Sequence, residues 1–480
     1  MRRFITSKTQ RSGYNYLSKR QERALIARDP RAIPTRDTVR RRGAMFSVGV
    51  VVIAILLGLV ARFLLGKATP GNEQYIMLSD GATYVKIDEA WHPVSNTASA
   101  RLVLGSPVSP KKVKTDSLKD QTIGTPIGIP GAPSSMTLNP KPESTGWGTC
   151  TEYTPADQFD LTKPESTSLT VLAGVKATGA DPLTPSQAVL TRDVDTGKYW
   201  LVTGDAHRLE VNPNDTLTFT FLGLDARGVE NATPVPSRFL NELDTYRPLA
   251  APDLDGRGEP SGAVPGYAVG TILTHADATA GKWVVTKNGL ARVSDYIAAL
   301  FTSTGSEKVE QKNTRLITEM PHDDVSFRLN EWPDALPTVV TGDTICNSWE
   351  RNPSGNGNTT LISVAKGLPL TDTQKRQLVE LRDGNGGIGG YADYLYTRPG
   401  YGWLTQSTSV SQGSTISGQL WYVSDAGVRY TIGLEDEKSY DPTLKSLGLD
   451  SSKPVYVPWQ ILSLLPPGPD LSKEAALRSQ

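Results

Sequence analysis

Trp200–Val211 reads WLVTGDAHRLEV and Trp283–Ser294 reads WVVTKNGLARVS, nearly one phrase written twice in a single chain. Each opens on an aromatic residue, alternates apolar with polar positions, breaks at a turn of Gly, Asn or Asp, and alternates again. That is the pattern of a β-hairpin with one buried face. Tyr75–Ile87 (YIMLSDGATYVKI) and Trp421–Ile432 (WYVSDAGVRYTI) fit the same template. Tyr75 to Gly81, Trp283 to Gly289 and Trp421 to Gly427 share one spacing, and the second copy carries Ala206 where the others carry glycine. The phrases open at Tyr75, Trp200, Trp283 and Trp421, intervals too unequal for a solenoid with one fixed period. The expected fold class is therefore α+β, each hairpin anchoring a small lobe, with the first and second copies on one side of a central piece and the third and fourth on the other. The plainer alternative is that aromatic-rich hairpins recur in any β-rich protein.

The rest of the chain limits where such lobes can sit. Ala44–Ala61, AMFSVGVVVIAILLGLVA, carries no charge, and the apolar run resumes after Arg62 as far as Gly66. As a helix it would span roughly 34 Å, enough for a bilayer core of about 30 Å. The alternatives, a buried helix or a cleaved signal peptide, fit less well: the leader before it is long and charged, and LLGKATPGNEQ offers no small-x-small cleavage site. Net charge is zero overall, yet residues 1–43 hold 13 Lys/Arg against Glu22, Asp29 and Asp37, leaving 37 basic and 47 acidic residues beyond. A basic leader stays in the cytoplasm, so the acidic body is expected outside. The only two cysteines, Cys150 and Cys346, both lie in that body, where an oxidising compartment favours one bridge over two separate buried thiols.

Between the phrases, Thr122–Gly148 is rich in Pro and Gly and is expected to form extended linkers or surface connections. Thr371–Arg382 (TDTQKRQLVELR) is expected to be helical, with Thr371 as N-cap.

Chemical signatures are few. No G-x-x-x-x-G-K-[ST] loop is present to cradle a nucleotide phosphate, nor H-E-x-x-H, C-x-x-C or G-x-S-x-G. GNGGIG at Gly384–Gly389 has dinucleotide-loop spacing but follows the expected helix and precedes YADYLYTRPG, the wrong order for that site. His92, His207, His275 and His322 read as structural or solvated histidines; His322 beside Asp323 and Asp324 could bind a metal but reads better as a surface turn. No catalytic residue, metal site or cofactor is assigned.

The cytoplasmic head, SKTQRSGYNYLSKRQERALIARDPR, interleaves Tyr14, Leu17, Leu25 and Ile26 with Lys19, Arg20, Arg23 and Arg28. As a helix ending at Asp29–Pro30 it would carry an apolar stripe beside a cationic face, suited to anionic lipid or to a partner protein rather than to nucleic acid. Tyr14, Leu17, Arg20, Arg23 and Arg28 are the docking candidates.

This head, a single anchor, an exported body with two cysteines and four hairpin phrases together resemble the EccB family of type VII (ESX) secretion systems. The most specific elements are Gln10–Tyr14 with the arginine-rich helix after it, and the layout of the body. After Asp29 the chain runs PRAIPTRDTVRRR, a departure from the family's usual phrase, which leaves the lineage open. The resemblance implies a scaffold assembled with EccC, EccD and EccE type subunits and with copies of itself, the mycosin protease being a further partner. It also implies a central domain holding the disulfide, four repeat lobes, contact with peptidoglycan as one option, and an ATPase label for which no phosphate-binding residues are visible; ATP is the only cofactor it suggests. The expected division is a cytoplasmic segment (1–43), a transmembrane helix (44–66), lobe 1 (67–135), a first stretch of the central domain (136–185), lobe 2 (186–255), lobe 3 (256–312), a second stretch of the central domain (313–405), and lobe 4 with the tail (406–480). The rival readings are an ATPase subunit of the same machine and a membrane-anchored wall-binding protein.

Overall fold

The computed structural model describes residues 7–29, 37–65, 71–155, 165–175, 179–246, 248–249, 253–277, 281–311, 315–323, 336–352, 357–381, 390–411, 414, 417–434, 439–449 and 453–479. The chain divides into two units: one holds the segment through Glu73 with Met77–Gly81 and Lys111–Asp120, the other everything else.

In the first unit, helix α1 (Lys8–Ala27) starts at a capping box, in which the Ser7 hydroxyl accepts from the Gln10 amide and the Gln10 side chain accepts from the Ser7 amide. It stops one residue before Arg28, which takes a left-handed φ of 51° as the C-cap. Helix α2 runs unbroken from Asp37 to Leu65, starting before the expected apolar boundary at Ala44; Gly66 lies outside the described residues. Side chains from Met45 to Leu57 stand 48 to 78% exposed at every large apolar position. Among the described residues, which include the side chains of this helix only for 43–58, no helix is long and apolar enough to cross a membrane.

In the second unit a seven-stranded sheet lies at the centre, ordered Val379–Glu380, Tyr394–Tyr396, Ser166–Ala173, Trp147–Thr154, Thr344–Arg351, Asn358–Ala365, Asp181–Pro182. Its strands come from two distant stretches. One face buries Trp147, Leu169, Val171, Ile345 and Trp349; the other buries Cys150, Cys346, Leu172, Leu368, Leu370 and Tyr396.

Three further sheets share one order of elements, three consecutive antiparallel strands, a helical connection, and a fourth strand that returns parallel to the first. These strands are Gln187–Asp193, Tyr199–Thr203, His207–Val211 and Thr233–Val235, in a sheet that Asp244–Thr245 and Thr338–Val340 extend to six strands; Ile272–His275, Lys282–Val285, Leu290–Val293 and Lys308–Gln311; and Trp403–Thr408, Leu420–Val423, Arg429–Thr431 and Val455–Pro458. A parallel return needs a crossover. Thr216–Phe221 with Ala226–Glu230, Asp295–Ser303 and Asp441–Leu447 supply it in the three sheets. Tyr75–Met77, Thr83–Ile87, Ala90–Pro93, helix Thr97–Leu104 and Lys111–Lys112 follow the same order along the chain. The first strand of the last sheet, Trp403–Thr408, straddles the expected boundary at 405/406.

The lobes pair differently from the expected arrangement. The 187–245 and 272–311 lobes share one core, where Leu190, Leu209 and Phe219 meet Ile272, Tyr296 and Phe301. The Tyr296 and Thr218 hydroxyls lie 2.6 Å apart across it. Helix Thr97–Leu104 packs instead with the last lobe, its Ala98 and Leu102 joining Leu404, Tyr422, Leu447 and Leu471, while Arg101 Nη1 donates to the Leu447 carbonyl at 3.1 Å. The reason is topological: pairing Trp147–Thr154 with Thr344–Arg351 folds the chain back, enclosing the two middle lobes in the loop between Cys150 and Cys346 and bringing the two outer ones together.

Two other expectations change. Thr122–Gly148 is extended but no loose linker, because Ile127 and Ile129 are buried and isolated bridges join Trp91 to Ile123, Val94 to Ile127 and Leu138 to Gly402. Thr371 does cap a helix, yet it covers only Asp372–Lys375; Val379 and Glu380 pair with Leu395 and Tyr394, and that edge pairing ends it.

Candidate functional site: the bridged sheet and its lobe junctions

Cys150 and Cys346 face each other across neighbouring antiparallel strands, Cα atoms 4.0 Å apart, and are joined by a disulfide. Both are buried, at 0 and 1% exposure. On the adjacent rung Thr149 faces Asn347, and those two side chains point to the other side of the sheet, as strand alternation requires. There they meet Glu242, delivered by the 187–245 lobe just after helix Ser237–Leu240. The Thr149 hydroxyl and Asn347 Nδ2 (3.2 Å) both donate to Glu242 Oε2. Burial pushes the Glu242 carboxyl up to about 8, although both donors pull the other way. A few residues before it, Arg238 donates to the Asp393 carboxylate and to the Tyr391 carbonyl (2.6 Å), pinning the lobe to the sheet edge. Nothing in the sequence marked these residues: Glu242 sits in FLNEL, an apolar run with one acid.

The hairpin residues fall at corresponding places in three lobes. Trp200, Trp283 and Trp421 all lie on the second strand, and the turns after them are stapled by a hydroxyl: Thr203 Oγ1 accepts from the His207 amide, Thr286 Oγ1 from the Gly289 amide, and Ser424 Oγ from the Val428 amide. Ala206 adopts φ 63° in its turn, where Gly427 has φ 83°. Tyr75 is out of phase, lying on a first strand with Gly81 in the turn after it; the hairpin corresponding to the other three turns at Asp88 and Glu89 and carries no glycine. Each tryptophan has a ring or cation against it: the Arg208 guanidinium lies 4.8 Å from the Trp200 ring, the His322 ring is tilted against Trp283 with centroids 4.8 Å apart, and Arg429 lies 5.1 and 4.9 Å from Trp421 and Trp459, whose own centroids are 5.5 Å apart.

The histidines are engaged locally. His92 Nδ1 is 2.9 Å from the Thr125 carbonyl, His275 Nδ1 accepts from the Asp277 amide, and His322 Nε2 is 3.2 Å from the Ile317 carbonyl. His207 lies flat on Tyr246, ring centroids 3.9 Å apart, with Nδ1 3.2 Å from Asp205. Burial alone would raise the Asp205 carboxyl, but His207, Thr203 and Tyr246 outweigh it and hold it at about 2. Asp323 is buried and accepts from the Thr286 hydroxyl, while Asp324 and the glycine-rich loop 384–389 lie outside the described residues. Among the described residues no group of three or more His, Cys, Asp or Glu is placed to hold a metal.

On α1, Tyr14 and Leu17 stand 76 and 56% exposed. They are three residues apart and so on one side of the helix, while Arg20 and Arg23 form a second such pair and Arg28 closes the helix. The two candidates are thus separate: a buried junction within the second unit and an exposed helical head in the first.

Known proteins agree on where this arrangement belongs. The chain is 30% identical to the ESX-3 secretion system ATPase EccB3 of Mycobacterium tuberculosis, over 99% of this chain and 90% of that one. It is likewise 30% identical to the ESX-1 secretion system ATPase EccB1 of Mycolicibacterium smegmatis, over 98 and 95%. Among solved structures, a chain of an intact ESX-5 inner membrane complex matches with TM-score 0.69 and 26% identity, covering 100% of this chain and 96% of that one. A chain of the EccB3 dimer from the ESX-3 core complex matches with TM-score 0.66 and 27% identity, over 85 and 100%. The model of the type VII secretion system ESX-1 transport TM domain B matches residues 3–480, essentially end to end, and the chain belongs to that EccB family.

Proposed function

We propose that this protein is a structural subunit of an inner-membrane type VII secretion complex, holding the assembly together through its exported body. The observation that carries the reading is the end-to-end likeness to a chain of an intact ESX-5 inner membrane complex. The stretch 44–66, described as helix α2 as far as Leu65, is the membrane span in this reading. It is supported by the exposed Met45, Phe46, Val48, Val50, Ile53 and Leu57, an apolar surface that water would not tolerate and lipid would cover. The basic leader keeps the N-terminus cytoplasmic and puts the body in the periplasm. The 75–112, 187–245, 272–311 and 403–458 segments are four copies of one unit, a reading supported by their common order of strands and helix.

Tyr14, Leu17, Arg20, Arg23 and Arg28 dock the head on EccC, EccD or EccE type membrane subunits, and the body oligomerises with its own kind, with the mycosin protease as a periplasmic neighbour. ATPase stands in the names of the relatives; this reading gives the chain a positioning role and no hydrolytic step. Affinity purification of the full-length protein in mild detergent tests it. A scaffold brings several membrane subunits with it. A lone protein that binds peptidoglycan, or one that hydrolyses ATP at a useful rate by itself, overturns the reading.

A further inference from the structure

A buried acid normally has a cation beside it, because an isolated carboxylate in a protein interior is costly. Glu242 has none. It is 1% exposed, and the side chains that bond it, Thr149 and Asn347, are both neutral. Its Oε1 and the Asn347 Oδ1 are buried with no hydrogen-bond partner among the described residues. Among the described residues, the charged and titratable groups on the elements packed around it make their contacts elsewhere: Arg238 binds Asp393 and the Tyr391 carbonyl through its two terminal nitrogens while its Nε has no partner, Arg351 lies over the Tyr456 ring at 3.8 Å, and the Tyr153 hydroxyl donates to Glu165. Glu152 and Glu350 belong to the cysteine-bearing face, because alternation puts them on the side opposite Thr149 and Asn347.

The position of this acid gives it leverage. Helix Ser237–Leu240 seats Phe239 and Leu240, both wholly buried, against the strand that carries Thr149. Thr149 and Asn347 occupy the rung beside the disulfide, so the covalent bridge holds both donors in register for one carboxyl oxygen.

We infer that Glu242 is a proton-held latch: as a neutral acid it seats the 187–245 lobe on the bridged sheet, and loss of that proton loosens the junction. Burial sets the direction, lifting the carboxyl to about 8 in the closed junction against about 4.3 when solvated. The closed state therefore retains a proton that the opened state gives up. Closure is fully favoured below about pH 4 and weakens about tenfold per pH unit as pH rises towards 8, then levels off. The paired middle lobes, enclosed by the disulfide loop, would gain freedom together as the latch releases.

Hydrogen exchange of the full-length protein in detergent, compared with Glu242→Gln at each pH, tests this. In segments 147–154 and 237–245 the ratio of wild-type to variant opening should rise about tenfold per unit from pH 6 to 8 and flatten above. A ratio independent of pH overturns the inference. If the variant fails to fold, infrared spectra of the wild type decide alone: a protonated carboxylic acid carbonyl band must be present at pH 6.5 and gone at pH 9.5, and its absence at pH 6.5 refutes the latch.

Discussion

Replacing Ala206 by glycine should stabilise the protein slightly, whereas replacing Gly427 by alanine at the corresponding turn should destabilise it severalfold more. Ala206 holds φ 63°. That left-handed conformation costs an L-residue about 1 kcal/mol or more; glycine relieves it but returns about 0.5 to 1 kcal/mol as unfolded-chain entropy. The net gain is about 0.5 kcal/mol from these two opposing effects. Gly427 holds φ 83°, and a Cβ there would stand 2.2 Å from Leu381 Cδ2. The conformational cost is the same as at Ala206, and the contact adds about 1 to 3 kcal/mol of overpacking. With the net conformational term of about 0.5 kcal/mol, Gly427→Ala should thus cost about 1.5 to 3.5 kcal/mol. Gly289→Ala should exceed both, because its Cβ would meet the Pro321 carbonyl oxygen at 2.1 Å, and a backbone atom cannot swing aside as a leucine tip can. Since several lobes need not unfold in one step, the measurement is hydrogen exchange resolved by lobe, alongside thermal melting of the whole chain. The ranking Ala206→Gly, Gly427→Ala, Gly289→Ala in order of rising cost is the result to look for. An Ala206→Gly protein less stable by more than about 1 kcal/mol would refute the strain reasoning, since that exceeds the entropic return alone.

Other outcomes follow from the same geometry. Cys150→Ala, Cys346→Ala and the double variant should each lose nearly the same stability, since all three open one bridge. The sequence separation of 196 sets an upper value of about 5 kcal/mol in the chain-entropy model, read from denaturant midpoints. Ending the chain before Pro467 removes Leu471 and Ala476, both wholly buried between the last lobe and helix Thr97–Leu104. That truncation should cost about 3 kcal/mol, with faster exchange in both elements. Asp205 is held at about 2, below an ordinary aspartate, so its contribution is present above pH 4 and fades as pH falls towards 2. Asp205→Asn should remove about 1 kcal/mol at neutral pH, after allowance for its partial exposure, and flatten that acid limb in thermal melts.

What could be read from residues alone was what local chemistry dictates. The hairpins around Trp200, Trp283 and Trp421 were visible because alternation and a tight turn occupy a dozen consecutive positions. The N-cap at Thr371 was visible, but not the early end of its helix, since edge pairing with Tyr394 and Leu395 is a long-range decision. The first phrase misled by phase: a glycine turn six residues after an aromatic also suits the hairpin one strand earlier, and the turn at Asp88 manages without glycine. Lobe pairing depended on which strands the central sheet joins across the long interval from Cys150 to Cys346, and no window of sequence carries that. Glu242 was invisible for the same reason, its meaning residing in Thr149 and Asn347, which lie 93 and 105 positions away.

The proposed topology puts a bridged body outside the membrane and its basic head inside. Peptide mapping of the protein from growing cells, alkylated before and after the membrane is opened, tests it most directly. A Cys150–Cys346 linked peptide, with neither cysteine alkylated in either sample, is the predicted result. Free thiols at both positions, reached only once reagent enters the cytoplasm, would contradict it.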